Sequence, residues 1–175
     1  MFLPHNEDYY TFKPFKSEVF TMFSPRNEDY DTFKSLKGGV FTIEGVIGVG
    51  KTTVGRSLEK YLNDIGIRAN FYPEYVNKEL LAQYIGDMKR YAYAFQMIML
   101  CKRIEIYRDA ERYADTGGVA LIDRSIIGDM TFAKMQYDNG NFTKDEWESR
   151  LMAVSLLGRS IKDEGISLWT TPGEP

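Results

Sequence analysis

The 175-residue sequence holds one cysteine, Cys101, and one histidine, His5. A single cysteine excludes an intrachain disulfide and any cysteine-based zinc centre. A single imidazole near the start leaves a Ser-His-Asp triad or a histidine-rich metal site short of the groups it needs. Long apolar runs are missing too. The longest candidate, Phe95 to Cys101, stops at Lys102 and Arg103, far short of the roughly 20 residues that span a bilayer. Positive charge is not in excess: 22 Lys and Arg face 25 Asp and Glu, for a net charge of -3. A chain without a broad positive field is not expected to bind nucleic acid, and nothing points to a membrane. The first residues lack a basic segment followed by an apolar one, and they carry Glu7, Asp8 and Glu18. Neither a secretory signal nor a mitochondrial transit peptide has that composition. The expectation is a soluble, cytoplasmic protein. Hydrophobic residues at 43% and charged residues at 27% give enough apolar material for one packed domain.

Two similar segments open the chain. Residues 2–21 read FLPHNEDYYTFKPFKSEVFT and residues 23–42 read FSPRNEDYDTFKSLKGGVFT, identical at 13 of 20 aligned positions. Two copies are too few for a solenoid, which needs about three units to bury a continuous core. Pro4, Pro14 and Pro25 interrupt them, so residues 1–38 are read as a duplicated, poorly ordered leader and residues 39–175 as the domain.

From Gly38 onward the pattern alternates. Val40–Ile43, Ala69–Tyr72 and Val119–Ile122 are short β-branched or apolar runs that predict strands, and Ile166–Trp169 is a fourth. Helices are predicted over 52–63, from a cap at Asn77 to about Ile85, over 88–114, over 125–137, and over 143–162. Thr143 and Glu146 form a capping box at the start of the last. Val54, Leu58, Tyr61 and Leu62 are expected on the buried face of the first helix. Tyr91, Phe95, Ile98, Met99, Ile104 and Tyr107 are expected on that of the long one. Strands alternating with helices imply a parallel sheet in an α/β, three-layer fold.

Between the first strand and the first helix lies Gly45-Val46-Ile47-Gly48-Val49-Gly50-Lys51-Thr52. It fits G-x-x-x-x-G-K-[ST], the P-loop. Glycines let successive N–H groups turn inward as an anion nest, and the following helix presents its positive dipole end. Lys51 adds a mobile charge for the β- and γ-phosphates, and Thr52 offers a hydroxyl to Mg²⁺. Asp123-Arg124-Ser125 directly follows the third predicted strand. Ligands of open α/β sheets bind beyond the strands' carboxyl ends, so Asp123 is a candidate Mg²⁺ carboxylate and Arg124 a candidate for charge stabilisation. The plain alternative is a surface turn with a helix cap. Pro73-Glu74 ends the second strand, where a carboxylate can accept a proton from an attacking hydroxyl.

These segments together resemble the deoxynucleoside kinases, which phosphorylate the 5′-hydroxyl of deoxynucleosides with ATP. Residues 43–53 are similar to the family's I-E-G-N-I-G-x-G-K-[ST]-T, with Val46 in place of the usual Asn. Pro73-Glu74, the stretch Asp87 to Gln96, and Asp123-Arg124-Ser125 follow in the family's order. The resemblance implies an ATP- and Mg²⁺-dependent kinase in nucleotide salvage with a P-loop fold. Residues 45–53, from Gly45 through Lys51, Thr52 and Thr53, would bind ATP. Glu74 would be the base, Lys51 and Arg124 would hold the transferring phosphates, and Thr52 and Asp123 would hold Mg²⁺. Gln96 would read the nucleobase edge. Arg103 and Asp129 stand where members that accept deoxycytidine or purine deoxynucleosides carry a pair contacting the base. Exposed helix charges are the alternative there. The family's sugar-binding Tyr position is Ile85 here, with Tyr84 beside it as a substitute. Family members commonly pair through long helices, which suggests a homodimer through the 88–114 helix. The family's Arg-rich lid has no counterpart after Arg159, so the C-terminal part of the fold is expected to be missing. Two rival readings stand beside this one: a catalytically impaired relative that binds nucleotide or serves as an interaction module, and a thymidylate-kinase-like enzyme acting on nucleoside monophosphates.

Overall fold

The computed structural model describes residues 38–158 and 166–169. The first copy of the repeat, most of the second, and the predicted helical residues 159–162 lie outside the described residues. So does the stretch after Arg159 in which a lid was sought, apart from the last strand.

Four strands form one parallel sheet: β1 (Gly39–Glu44), β2 (Ala69–Tyr72), β3 (Val119–Asp123) and β4 (Ile166–Trp169). Their spatial order is β2-β3-β1-β4. Five helices accompany them: α1 (Lys51–Asp64), α2 (Lys78–Gly86), α3 (Met88–Asp115), α4 (Ile126–Asp138) and α5 (Lys144–Gly158). Strand and helix positions agree with the sequence pattern, and so does the α/β class.

Register places the site. Ile43 of β1 pairs with Asp123 of β3, and Tyr72 of β2 pairs with Ile122. The segments that leave these three strands (Gly45 onward, Pro73-Glu74, and Arg124-Ser125) therefore emerge side by side at the carboxyl edge.

Period-2 alternation sorts each strand between two layers. Phe41, Ile43, Phe71, Val119 and Leu121 pack with Leu58 and Leu62 of α1 on one face. Ala120 and Ile122 pack with Tyr107 and Ala110 of α3 on the other. All five residues of β3 are buried, as suits a parallel strand covered on both sides. A third cluster, built on Tyr84, Ala92, Phe95, Ala133 and Phe142, joins the helices α2 to α4 beyond the sheet. Among the described residues no helix is long and apolar enough to cross a membrane.

Two expectations about buried faces need correction. Val54 of α1 is exposed, and Ile98 of α3 is exposed as well. In α1 the glycine beside Val54 takes the inner position: a Cβ on Gly55 would lie 2.1 Å from the Phe71 ring, so the helix approaches β2 too closely for a larger side chain. In α3 the buried residues include Ala92, Phe95, Gln96, Leu100, Arg103, Ile104 and Tyr107. At about 3.6 residues per turn, Gln96 and Arg103 fall in the middle of that face. The helix turns two polar residues inward, which rotates the buried stripe away from Ile98.

Candidate active site

The loop after β1 needs backbone angles that glycine supplies. Gly48 and Gly50 have φ of 82° and 93°, a region unfavourable to residues with a Cβ. A Cβ at either would meet no protein atom within 4 Å. The glycines therefore serve the loop's curvature and its open concave side rather than its packing. Gly50 caps α1 with no side-chain bond, leaving that helix end's N–H groups to a ligand or water. Lys51 is buried, and its Nζ donates to the carbonyls of Gly45 (3.1 Å) and Val46 (3.0 Å). Val46 and Ile47 are exposed at the loop tip.

Thr52 Oγ1 donates to Asp123 Oδ2 at 2.7 Å. The other carboxylate oxygen, Oδ1, is buried and has no hydrogen-bond partner among the described residues. Buried carboxylate oxygens are rarely left so. The first turn of α1 is thus tied to the end of β3 through one oxygen of Asp123, and the other oxygen is left without a partner beside it.

Directly after Asp123 the chain makes a strained turn. Arg124 has φ of 73°, the single non-glycine residue with positive φ among those described. Three bonds hold it there. Arg124 N donates to Ile43 O at 3.0 Å, Arg124 O accepts from Arg103 Nη1 at 2.7 Å, and Ser125 N donates to Glu44 Oε1. Ser125 then caps α4 by accepting from Gly128 N at 3.1 Å. Ser125 caps a helix, as the plain alternative has it, but Asp123 and Ser125 are buried and not at the surface, and Arg124 lines the cleft.

Glu74 follows β2 and Pro73. Its Oε1 lies 2.9 Å from Arg103 Nη2 and 3.2 Å from Arg124 Nε, so two guanidinium groups fix one carboxylate. Arg103 is buried within α3 and forms a hub. Besides Glu74 it donates to the carbonyls of Asp123 (3.3 Å) and Arg124 (2.7 Å), and its Nε lies 3.5 Å from Asp129 Oδ1. That last approach is an ion pair without hydrogen-bond geometry. Arg103 and Asp129 are thus paired and buried, not exposed helix charges.

A cleft of about 270 Å³ opens on this network. Ile47, Glu74, Tyr84, Gln96, Arg103 and Arg124 line it together with Asp129 and a wall of apolar residues. Such a mix of apolar wall and few polar groups is the usual form of a small-molecule site. Tyr84 stacks on Phe95 with ring centroids 4.6 Å apart. Burial raises the Tyr84 phenol above its ordinary value.

Of the singled-out residues, Ile47, Glu74, Tyr84, Gln96, Arg103, Arg124 and Asp129 line this cleft, and Asp123 meets Thr52 at the loop beside it. Two further residues were not anticipated. Glu44 is buried beneath the turn; its sequence signals are an acid at the end of a covered strand and the E of the motif over residues 43–53. Arg150 of α5 is completely buried and donates to Asp129 Oδ2 and, at 2.7 Å, to Gln96 O. Burial lowers its pKa, and the charge of Asp129 opposes that shift. Nothing in the sequence separates Arg150 from an ordinary helix charge.

Known proteins are similar to this chain. The family model for deoxynucleoside kinases matches residues 41–164. The deoxyadenosine/deoxycytidine kinase of Bacillus subtilis is 29% identical over 108 residues, 61% of this chain and 46% of its own length. The deoxyadenosine kinase of Dictyostelium discoideum is 35% identical over 98 residues, 56% of this chain and 37% of its own. The chain therefore spans less than half the length of these relatives. A solved structure of the M. mycoides deoxyadenosine kinase with bound dATP superposes with a TM-score of 0.61 at 22% identity, covering 75% of this chain and 64% of that one, and shares the fold. With its P-loop, its turn after β3 and a matched segment running through both, the chain belongs to the deoxynucleoside kinase family.

Proposed function

We propose that the protein transfers the γ-phosphoryl group of ATP to the 5′-hydroxyl of a deoxynucleoside, with deoxycytidine or a purine deoxynucleoside preferred. One observation carries this reading: a single cleft is lined at once by Ile47 of the P-loop, by Glu74, and by Gln96 and Asp129. A phosphate-binding loop, a carboxylate and base-reading groups thus border one small-molecule space. The names of the relatives point to the same substrate class.

The residues would act mostly by position and charge, which is how phosphoryl transfer is chiefly catalysed. Glu74, aimed by Arg103 and Arg124, accepts the hydroxyl proton. Lys51 and Arg124 stabilise charge on the transferring oxygens. Gln96 offers paired donor and acceptor to a base edge. The residues fit Mg²⁺: Thr52 and the unused Oδ1 of Asp123 would hold it. Among the described residues no group of three or more His, Cys, Asp or Glu could hold a metal alone, so phosphate oxygens would have to complete the ion's coordination. When bound, the ion neutralises phosphate charge. Pairing of two copies through α3, where Met88 and Ile98 are exposed, is part of the same reading, and sedimentation at micromolar concentration tests it.

The deciding experiment supplies radiolabelled ATP with each of the four deoxynucleosides and with their monophosphates. Label is expected on at least one of deoxycytidine, deoxyadenosine and deoxyguanosine. Glu74→Gln should lose about 10²-fold or more in turnover while ATP affinity stays within about twofold of wild type. Wild-type turnover in that variant rejects Glu74 as the base. ATP binding without transfer to any acceptor leaves a nucleotide-binding module, and transfer to monophosphates alone favours the thymidylate-kinase-like reading.

A further inference from the structure

We infer that Arg150 is a positioning residue for nucleobase selection: from behind the cleft wall it fixes both Asp129 and Gln96, and so sets discrimination between amino- and carbonyl-bearing base edges. The inference rests on the proposed function, since it concerns the same cleft.

The geometry is specific. Arg150 has no exposed surface, and its two terminal nitrogens divide between two targets. Nη2 donates to Asp129 Oδ2 and Nη1 donates to Gln96 O at 2.7 Å. Asp129 and Gln96 come from different helices, α4 and α3, and both line the cleft. A planar guanidinium bridges two such acceptors in a way a single ammonium does not. Asp129 lines the cleft, and with Oδ2 engaged its Oδ1 is left 3.5 Å from Arg103 Nε. An acceptor oxygen so presented suits an exocyclic amine and opposes a carbonyl.

Stability alone does not explain an arginine here. Fully burying a guanidinium carries a large desolvation penalty, and well-packed apolar residues often replace buried ion pairs without loss. The Nε of Arg150 even lacks a hydrogen-bond partner among the described residues. What the arginine adds, and an apolar residue would not, is the placement of the Asp129 carboxylate and of the α3 backbone at Gln96.

The test measures binding, so it does not depend on turnover. Calorimetry on the full chain gives Kd for deoxyadenosine and deoxyinosine, which differ at the 6-position, amino against carbonyl, and with it in whether N1 accepts or donates, for wild type, Arg150→Met and Arg150→Lys. ATP affinity and the circular dichroism melt are read alongside. Wild type is expected to prefer deoxyadenosine by about tenfold or more, the effect of one hydrogen bond to a charged group. Arg150→Met should lower that ratio about tenfold, with ATP affinity kept within about twofold. Arg150→Lys should recover only part of the ratio. If Arg150→Met does not fold, a full wild-type ratio in Arg150→Lys overturns the inference. It is also overturned by an unchanged ratio in Arg150→Met, by parallel loss of both nucleosides and ATP, or by a wild type that binds both nucleosides equally. A wild type that binds ATP but neither of these two nucleosides overturns the inference, and one that binds ATP but none of the four deoxynucleosides refutes the proposed function itself.

Discussion

Arg124 sits at φ of 73°, where a residue with a Cβ gives up about 1–2 kcal/mol relative to right-handed backbone. The strain persists because Ile43, Arg103 and Glu44 each hold a backbone atom of the turn. Its return is direction: the guanidinium meets Glu74 at 3.2 Å. Backbone and side chain can be separated. Arg124→Gly relieves the strain, so the variant should melt at or slightly above the wild-type temperature, yet lose about 10²-fold or more in phosphoryl transfer. Arg124→Val should lose activity equally and in addition about 1–2 kcal/mol of stability, read by urea unfolding, because a β-branched residue tolerates that region poorly. An Arg124→Gly that transfers normally would remove Arg124 from the machinery. At this scale legibility was uneven. Lys51, Thr52 and Asp123 stood in spaced patterns whose chemistry requires them. Glu44 and Arg150 act through contacts 81 and 54 residues away in sequence, and no local pattern encodes those.

Among elements, the entry to α5 shows local sequence deciding local structure. Thr143 N and Oγ1 donate to Glu146 Oε2 at 2.7 and 2.8 Å, and Glu146 N donates back to Thr143 Oγ1 at 3.2 Å. That reciprocal arrangement is the capping box expected from the T-x-x-E spacing. Thr143→Ala should destabilise by about 1 kcal/mol in urea unfolding; because α5 carries Arg150, nucleoside binding should weaken with it more than ATP binding does. The long helix α3 shows the opposite case. Its length followed from the periodicity over 88–114. Its buried face did not, because hydrophobic spacing assumes that the inner stripe is apolar. Gln96 and Arg103 occupy the centre of that stripe, and their partners, Arg150, Glu74 and Asp129, all come from other elements.

Across the whole molecule, β3 is the shared wall of two cores. Val119 and Leu121 face α1 while Ala120 and Ile122 face α3. Leu62 and Leu121 are both fully buried on the α1 side. Leu121→Ala should lower stability by about 2–5 kcal/mol, in one cooperative transition visible equally by tryptophan fluorescence and far-ultraviolet dichroism; separate transitions would show that the two layers fold independently. The architecture was legible because strand–helix alternation admits few topologies once crossovers are right-handed and parallel. The β2-β3-β1-β4 order was not, since residue patterns do not say which strands are neighbours.

Between β1 and α4 the fit is tight enough that a single methyl on Gly128 would come within 2.5 Å of Glu44 Oε2 and 3.1 Å of Arg124 Cγ. Positions 44 and 128 are therefore coupled through space: Gly128→Ala should push the Glu44 carboxylate aside, loosen its hold on the Ser125 amide and so disturb the turn that aims Arg124.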